Sequence, residues 1–544
     1  MAEVVTNLAT YENQVAAKAV IDDTNTRVRS LQQDATPIGA IYFHRAISRG
    51  ASGNDVYVQD PPDRLIGGLP AAYWSYTVCV RKEGSAPESE TDGTVIFTNQ
   101  IRDNYFSTPF RDEDGTSTSV YRVFPHATNG SVNLSAENIF QVSTTWTMGF
   151  ILDTEESDPS LAVTYTADNT NFNPVRMDFT LGVCNYGGWK DWVESVFYPA
   201  MLTYGGEIDY RLYPNDLSYK ADGTTASDIA NTSYEGNAML IVPQIFLKIT
   251  RNGPLVTVLF SNEQKDSSWF NWTHLKSDGT YADFCAWPLF EGSNVSSRLR
   301  SMSTGAKPLS NTNQNTEYSY ARANGDNWYP TTWADELMFR LLFPLLTKHL
   351  DSNEAIGQCY TAGVSALQLN CGSMKDKGWF WGAHFDGTNN VTTGVKFLCM
   401  ENLWSHRWRR SVGANLINGI YYTKTTPSTV DGSGTNYFIT SDTAANYQSS
   451  YLPDSSIAAT NYSANYITKM HFGTRATMVP VNASGGSSGT FFCDACWSAS
   501  GVRCFLSGGH CFLGLSAGVF ASYLSRAPSD WTWNFGASLS YHAF

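Results

Sequence analysis

Residues 491–544 constrain the architecture more than any other stretch of the chain. They read FFCDACWSASGVRCFLSGGHCFLGLSAGVFASYLSRAPSDWTWNFGASLSYHAF. Short apolar runs alternate with breaks at Gly508-Gly509, Ala517-Gly518 and Ala527-Pro528-Ser529, the written form of short strands joined by tight loops. Seven large residues stand inside or beside those loops: His510, Phe512, Leu513, Leu515, Tyr523, Trp531 and Trp533. Loops run over surfaces and usually carry small polar side chains. Bulky groups there mark either a contact face or loops that fold back onto the core, and these residues alone leave both open.

At 544 residues the chain exceeds one hydrophobic core and predicts two to four domains. Aromatic residues make up 14% and charged residues only 16%, which favours well-packed, strand-rich structure over disorder. A net charge of -14 argues against a nucleic-acid surface, because phosphate binding needs a local Lys/Arg excess. The tight basic cluster, Arg407, Arg409 and Arg410 interleaved with Trp404 and Trp408, reads as a partly solvated strand face with snorkelling arginines. No apolar run approaches the roughly 18 residues of a membrane helix, so membrane insertion is not expected. The first residues lack a charged start followed by an apolar stretch, which predicts synthesis in a cytoplasm. There the ten cysteines are expected to be buried free thiols.

The chain divides into five stretches. Residues 1–36 predict a helix in which Leu8, Tyr11 and Val15 keep a heptad-like spacing that Lys18 interrupts and Ile21, Val28 and Leu31 resume. Such a stripe pairs with copies of itself, here as a coiled-coil homotrimer for oligomerisation or attachment, or docks on its own body. Residues 37–61 read as a β linker. Residues 62–145 are all-β, with alternation at Trp74, Tyr76, Val78, Val80 and at Tyr121, Val123. Residues 146–250 form a β-rich connecting region, and 251–544 a C-terminal α+β domain. A helix is expected over 189–202. A second begins at Thr332-Trp333-Ala334-Asp335, a capping-box pattern, with Leu337, Leu341 and Leu345 on one face and a kink at Pro344.

No catalytic constellation emerges. Walker and dinucleotide motifs and HExxH are absent, so no enzyme, cofactor or metal is expected. Cys493, Cys496, Cys504 and Cys511 open with a CxxC that invites a zinc reading. If 491–497 is a strand, however, Cys493 and Cys496 point to opposite faces and cannot converge on one ion.

Two resemblances add to this. With its Tyr-x-Val strands and Asp92-Gly93-Thr94 turn, the 62–145 segment resembles a fibronectin type III module. From Asp222 onward, a series of motifs resembles the C-type-lectin fold in its formylglycine-generating-enzyme branch. They are Arg322-Ala323-Asn324-Gly325, the capped helix, Gly357-Gln358, Glu401-Asn402-Leu403-Trp404-Ser405-His406-Arg407-Trp408 and Asn534-Phe535-Gly536-Ala537. The same order occurs in bacteriophage tail proteins and in variable proteins of diversity-generating retroelements, such as the phage major tropism determinant. The fold class implied is multidomain and mainly β: N-terminal coiled coil, fibronectin-like sandwich, and α+β C-type-lectin-like domain.

The resemblance implies a virion tail protein that contacts other tail proteins and binds a host cell-surface protein or glycan. Its receptor-binding residues would be His510, Phe512, Leu513, Leu515, Tyr523, Arg526, Asp530, Trp531 and Trp533, in loops of the kind that the retroelement-linked members rewrite. A tail-associated polysaccharide-degrading enzyme and a capsid decoration protein are the alternatives. The chain departs from the family where Ser405-His406 replaces Gly-Asn. It also lacks a partner loop for Trp533-Asn534-Phe535, so a calcium-bridged sugar site is not implied.

Overall fold

Strand far outweighs helix in the computed structural model, which describes residues 18, 38–41, 43–48, 53–66, 69–106, 108–143, 145–276, 278–361, 369–417, 419–423, 452–458, 465–473 and 477–543. Of the expected N-terminal helix only Lys18 is described, helical and exposed. The rest of 1–36, and with it the trimer, lies outside the described residues. No helix among those described is long and apolar enough to cross a membrane. The chain forms two units, divided between Thr145 and Trp146.

The first unit is built on one path of seven strands. Its order is Thr94–Asn99, Trp74–Glu83, Ser119–Ala127, Ile139–Ser143, Phe43–Ser48, Asn54–Gln59 and Phe110–Asp112. Ile139–Ser143 is the hinge of that path, antiparallel to Ser119–Ala127 and parallel to Phe43–Ser48. The two halves fold over a shared core, with Ala46, Val56 and Val58 from one side meeting Cys79, Phe97, Tyr121 and Val123 from the other. The Val and Phe side chains among them contribute about 1.5–3 kcal/mol each through burial. The Tyr121 hydroxyl joins the halves, accepting from Asn54 Nδ2 (2.8 Å) and donating to Asp112 Oδ2 (2.7 Å). The expected linker at 37–61 is therefore corrected. Phe43–Ser48 and Asn54–Gln59 pair along six residues and supply core to the same body. Their alternation was short enough to read as a connection.

In the second unit, a six-stranded sheet runs Ile208–Arg211, Tyr198–Thr203, Gly236–Pro243, Phe284–Pro288, Leu539–His542 and Trp328–Pro330. The chain's last strand thus sits between two strands more than 200 residues earlier, closing the unit. A second sheet centres on Trp408–Ile417, which pairs with Val502–Ser507 and with Phe535–Gly536. Ser522–Leu524 continues it, flanked by Ala495–Ser498. The helix Trp333–Thr347 packs on strands of more than one sheet, so all fifteen of its residues are buried rather than one leucine face. Its capping box forms as expected: the Thr332 hydroxyl accepts from the Asp335 amide, and Asp335 Oδ2 accepts from the Thr332 amide.

Three further expectations change. The helix expected over 189–202 spans only Lys190–Val196, because Tyr198–Thr203 pairs as a strand with Gly236–Pro243. A boundary at 250/251 would cut the strand Phe246–Asn252, whose hairpin with Leu255–Ser261 continues to Thr147–Asp153. The 146–250 region is therefore part of the body, not a connection to it. The 401–408 motif is not itself a strand. It makes buried turns, with Asn402 (φ 56°) and Ser405 (φ 65°) in the left-handed region, and the strand starts at Trp408.

Candidate functional site

Gly508 (φ 90°) and Gly509 (φ 82°) fix the loop that carries the candidate residues. A Cβ on Gly508 would stand 2.6 Å from the Leu403 carbonyl oxygen, and one on Gly509 would collide with Ala517. The Gly508 carbonyl accepts from the Ser405 amide (2.8 Å), and the Gly508 amide donates to Ala521 (3.1 Å). Further along, Gln358 Nε2 donates to the carbonyls of Gly514 (2.6 Å) and Ala517 (3.0 Å). Large side chains therefore stand on a backbone tied to the interior at both ends.

Beside this loop opens a cleft of about 270 Å³, lined by Trp408, Trp497, His510, Leu513, Tyr523, Arg526, Thr532, Trp533, Asn534 and Phe535. Two aromatic triads wall it. Trp408, Trp497 and Tyr523 lie with ring centroids 5.5, 5.2 and 5.7 Å apart. His510, Phe512 and Trp533 lie 6.1, 5.7 and 5.4 Å apart. Trp408 and Tyr523 are stacked and the other pairs edge-to-face; such aromatic pairs add about 0.5–1.5 kcal/mol each beyond burial, which holds the walls in place. A neighbouring hollow of about 290 Å³ shares Arg526, Thr532 and Phe535 and adds Ser529, Asp530 and Trp531. Trp408 and Phe535 form a buried floor with Cys504, Leu506 and Ala521. At the rim, Phe512 is 52% and Trp531 65% exposed, the only exposed Phe and Trp among the described residues.

The cleft holds few polar groups, each with a defined state. Burial holds the His510 imidazole neutral by pushing its pKa down to about 4, and its Nδ1 accepts from the Phe512 amide (3.3 Å). Arg526 Nε donates to the Tyr523 hydroxyl (3.0 Å), leaving the rest of the guanidinium at the rim. Asn534 Oδ1 is buried without a hydrogen-bond partner. Asp530 Oδ2 accepts from the Ala527 amide (3.0 Å), so this carboxylate holds its own turn. Among the described residues that line the aromatic cleft there is no carboxylate or thiol. What remains can stack on a flat ligand, with one cationic donor and one open acceptor to orient it.

A comparison with models of known protein families finds no match, and neither does one with curated proteins.

Eight of the nine expected residues stand at or beside these hollows; Leu515 lines a different cleft. Sequence reasoning did not name Trp497 or Trp408 among the binding residues. The signal for Trp497 was available: in Ala495–Ser498 alternation puts it opposite the buried Cys496. Nothing local marks Trp408 as the floor of a cleft.

The arginine cluster is corrected. Arg407, Arg409 and Arg410 are buried, not snorkelling. Arg409 Nε meets Glu336 at 2.6 Å, Arg410 Nε meets Glu317 at 2.8 Å, and an Arg407 guanidinium nitrogen donates to the Trp533 carbonyl (2.6 Å). All ten cysteines are free thiols and nine are buried, Cys184 being half-buried. Among the described residues Cys493, Cys496, Cys504 and Cys511 form no metal-sized group. Cys285, Asp335 and His542 do lie within 4.8 Å of one another. Yet Asp335 already accepts from Trp287 Nε1 (2.9 Å) and the Thr332 amide (2.9 Å), and it pairs with His542 (3.0 Å). That group is an internal brace.

Proposed function

We propose that the chain is a phage virion structural protein of the tail fibre or tail tip, acting as a binder and not as an enzyme. Its C-terminal loops would bind a host cell-surface receptor, protein or glycan, through the aromatic cleft. One observation carries this reading. Seven of the nine residues singled out in the sequence line two adjoining surface hollows (His510, Leu513, Tyr523, Arg526, Asp530, Trp531 and Trp533), and Phe512 packs on Trp533 at their edge. Exposed aromatic anchors around a small pocket are the composition of binding hot spots, and repeated copies on one particle would multiply weak contacts.

Fold details support the same reading. The capped helix, the Gly357-Gln358 turn, the buried Glu401-Asn402 and the closing C-terminal strand follow the order expected of a C-type-lectin-like domain. In the first unit, Phe43–Ser48, Asn54–Gln59 and Phe110–Asp112 neighbour one another. Ile139–Ser143, Ser119–Ala127, Trp74–Glu83 and Thr94–Asn99 form the other half. This division resembles that of an immunoglobulin-type or fibronectin-like sandwich and supports reading the unit as a spacer.

The test is binding of the fluorescently labelled full chain to cells of the bacterium that the phage infects. Replacing Phe512 and Trp531 together with alanine should reduce binding by at least tenfold with the melting temperature unchanged. Full binding by that variant would end the reading. The coding DNA offers a second check, as a near-copy of the last segment differing only at adenines, beside a reverse transcriptase, would mark the loops as rewritten.

A further inference from the structure

Leu513 lines the aromatic cleft, while Leu515, across the Gly514–Ser516 turn, lines a second and larger one of about 600 Å³. That volume lies within the range of small-ligand sites. Separate chain segments meet there and are stitched together. The Leu350 amide donates to Pro159 (3.1 Å) and the Phe491 amide to Ser157 (2.8 Å). Asn353 grips the Phe385 backbone twice, donating to its carbonyl and accepting from its amide, both at 2.9 Å. The cleft is a constructed feature of the fold.

Its polar lining is unusual in combining carboxylates with a buried donor. Asp158, Asp351, Glu354 and Asp386 all border it. His349, only 8% exposed, stands among them. Its Nδ1 accepts from the Asp351 amide (2.9 Å), which places the proton of the neutral ring on Nε2. Burial keeps the ring neutral, pushing its pKa down to about 3. The Nε2–H has no protein partner among the described residues, although it belongs to a wall of the cleft. Glu354 uses Oε1 toward His384 (2.8 Å) and leaves Oε2 open.

These states narrow the ligand. A metal ion on His349 would need the Nε2 lone pair, which the proton occupies while Nδ1 serves as acceptor, and the cleft's carboxylates form no metal-sized group among the described residues. An ammonium group would meet the Nε2–H donor to donor, and an acidic group would meet four carboxylates. A hydroxyl both accepts from an imidazole N–H and donates to a carboxylate. Phe385 and Leu515 supply apolar surface for the C–H face of a ring. We infer that this cleft binds a neutral polyhydroxyl ligand, a hexose or hexose-containing glycan, with neighbouring hydroxyls bridging His349 and Glu354. The inference does not rest on the aromatic cleft or on what that cleft binds.

Saturation-transfer NMR on the full chain with glucose, galactose, mannose and N-acetylglucosamine tests it, with glucuronate as the acidic control. At least one neutral sugar should show transfer and glucuronate none. Glu354 is exposed, so Glu354→Ala should fold normally and weaken binding roughly tenfold, the loss of one hydrogen bond to a charged group. Trp531→Ala should leave the signal unchanged. No transfer from any neutral sugar, equal transfer from glucuronate, or a signal lost with Trp531→Ala and kept with Glu354→Ala would overturn the proposal. Cell binding by the Phe512/Trp531 variant reports on the aromatic cleft separately.

Discussion

The floor beneath the strand Trp408–Ile417 and the rim above it use the same side chains to opposite ends. Below, Arg410 is fully buried against Glu317, and His406 Nδ1 meets Glu291 Oε2 at 2.6 Å. Above, Arg526 is exposed, and His510 packs against the Trp408, Phe512 and Trp533 rings and accepts from the Phe512 amide. A buried arginine requires a partner because its desolvation costs several kcal/mol. A rim arginine needs none, so the part of the Arg526 guanidinium not held by the Tyr523 hydroxyl is available to a ligand. Residue type did not assign these roles; the depth of the backbone beneath each one did.

The largest expected contrast lies in removing one arginine from each layer. Arg410→Ala strands the Glu317 carboxylate in the interior and should cost about 3–5 kcal/mol in denaturant unfolding. Arg526→Ala should change stability by no more than about 0.5 kcal/mol. Equal effects would break the distinction between floor and rim. Gly508→Ala comes next, at about 1–3 kcal/mol. Its left-handed φ and the nearby Leu403 carbonyl leave no relaxed geometry, and cell binding should fall with it because the loop is displaced.

Acidity separates the layers by sign. Burial pushes the Glu401 carboxyl up to about 8, even with Gly372 and Met374 amides donating to it. A group raised in the fold contributes stability below its unfolded value near 4.5 that is lost as pH rises toward 8. His510 is lowered from 6.5 to about 4, so its contribution is present above 6.5 and lost as pH falls. Glu401→Gln should flatten the alkaline side of a melting-temperature profile, and His510→Phe the acidic side. The reverse pattern would show that the burial assignments are wrong. The smallest effect concerns Ser405, a non-glycine residue held at φ 65°. Ser405→Gly should gain up to about 1 kcal/mol in unfolding free energy, offset in part by the weak Oγ contact to the Ala517 carbonyl (3.4 Å).

Legibility followed the range of the interaction. The Thr332 capping box is complete within four residues, and it was readable. Alternation at Tyr121 and Val123 identified a strand, but not that both of its faces would be covered. The Phe43–Ser48 strand was read as linker because only its hairpin partner Asn54–Gln59 is local, while Ile139–Ser143, which ties it to the rest of the unit, lies almost a hundred residues away. Most of the candidate rim was legible because large residues in a Gly-rich frame contradict local propensity, and such contradictions gather at functional surfaces. The polar cleft was not legible at all, since its segments come from distant loops.

By itself, the sequence determined the strand-rich composition, the capped helix and the glycine-bound loops that hold bulky groups away from regular structure. These depend on φ/ψ preference and hydrogen bonds within a few residues. Only the tertiary structure decided that Arg410 is a buried ion and Arg526 an open one, or that Trp408, Trp497 and Tyr523 share a wall. Desolvation is set by what crosses over a residue in space, and the local text carries no record of that.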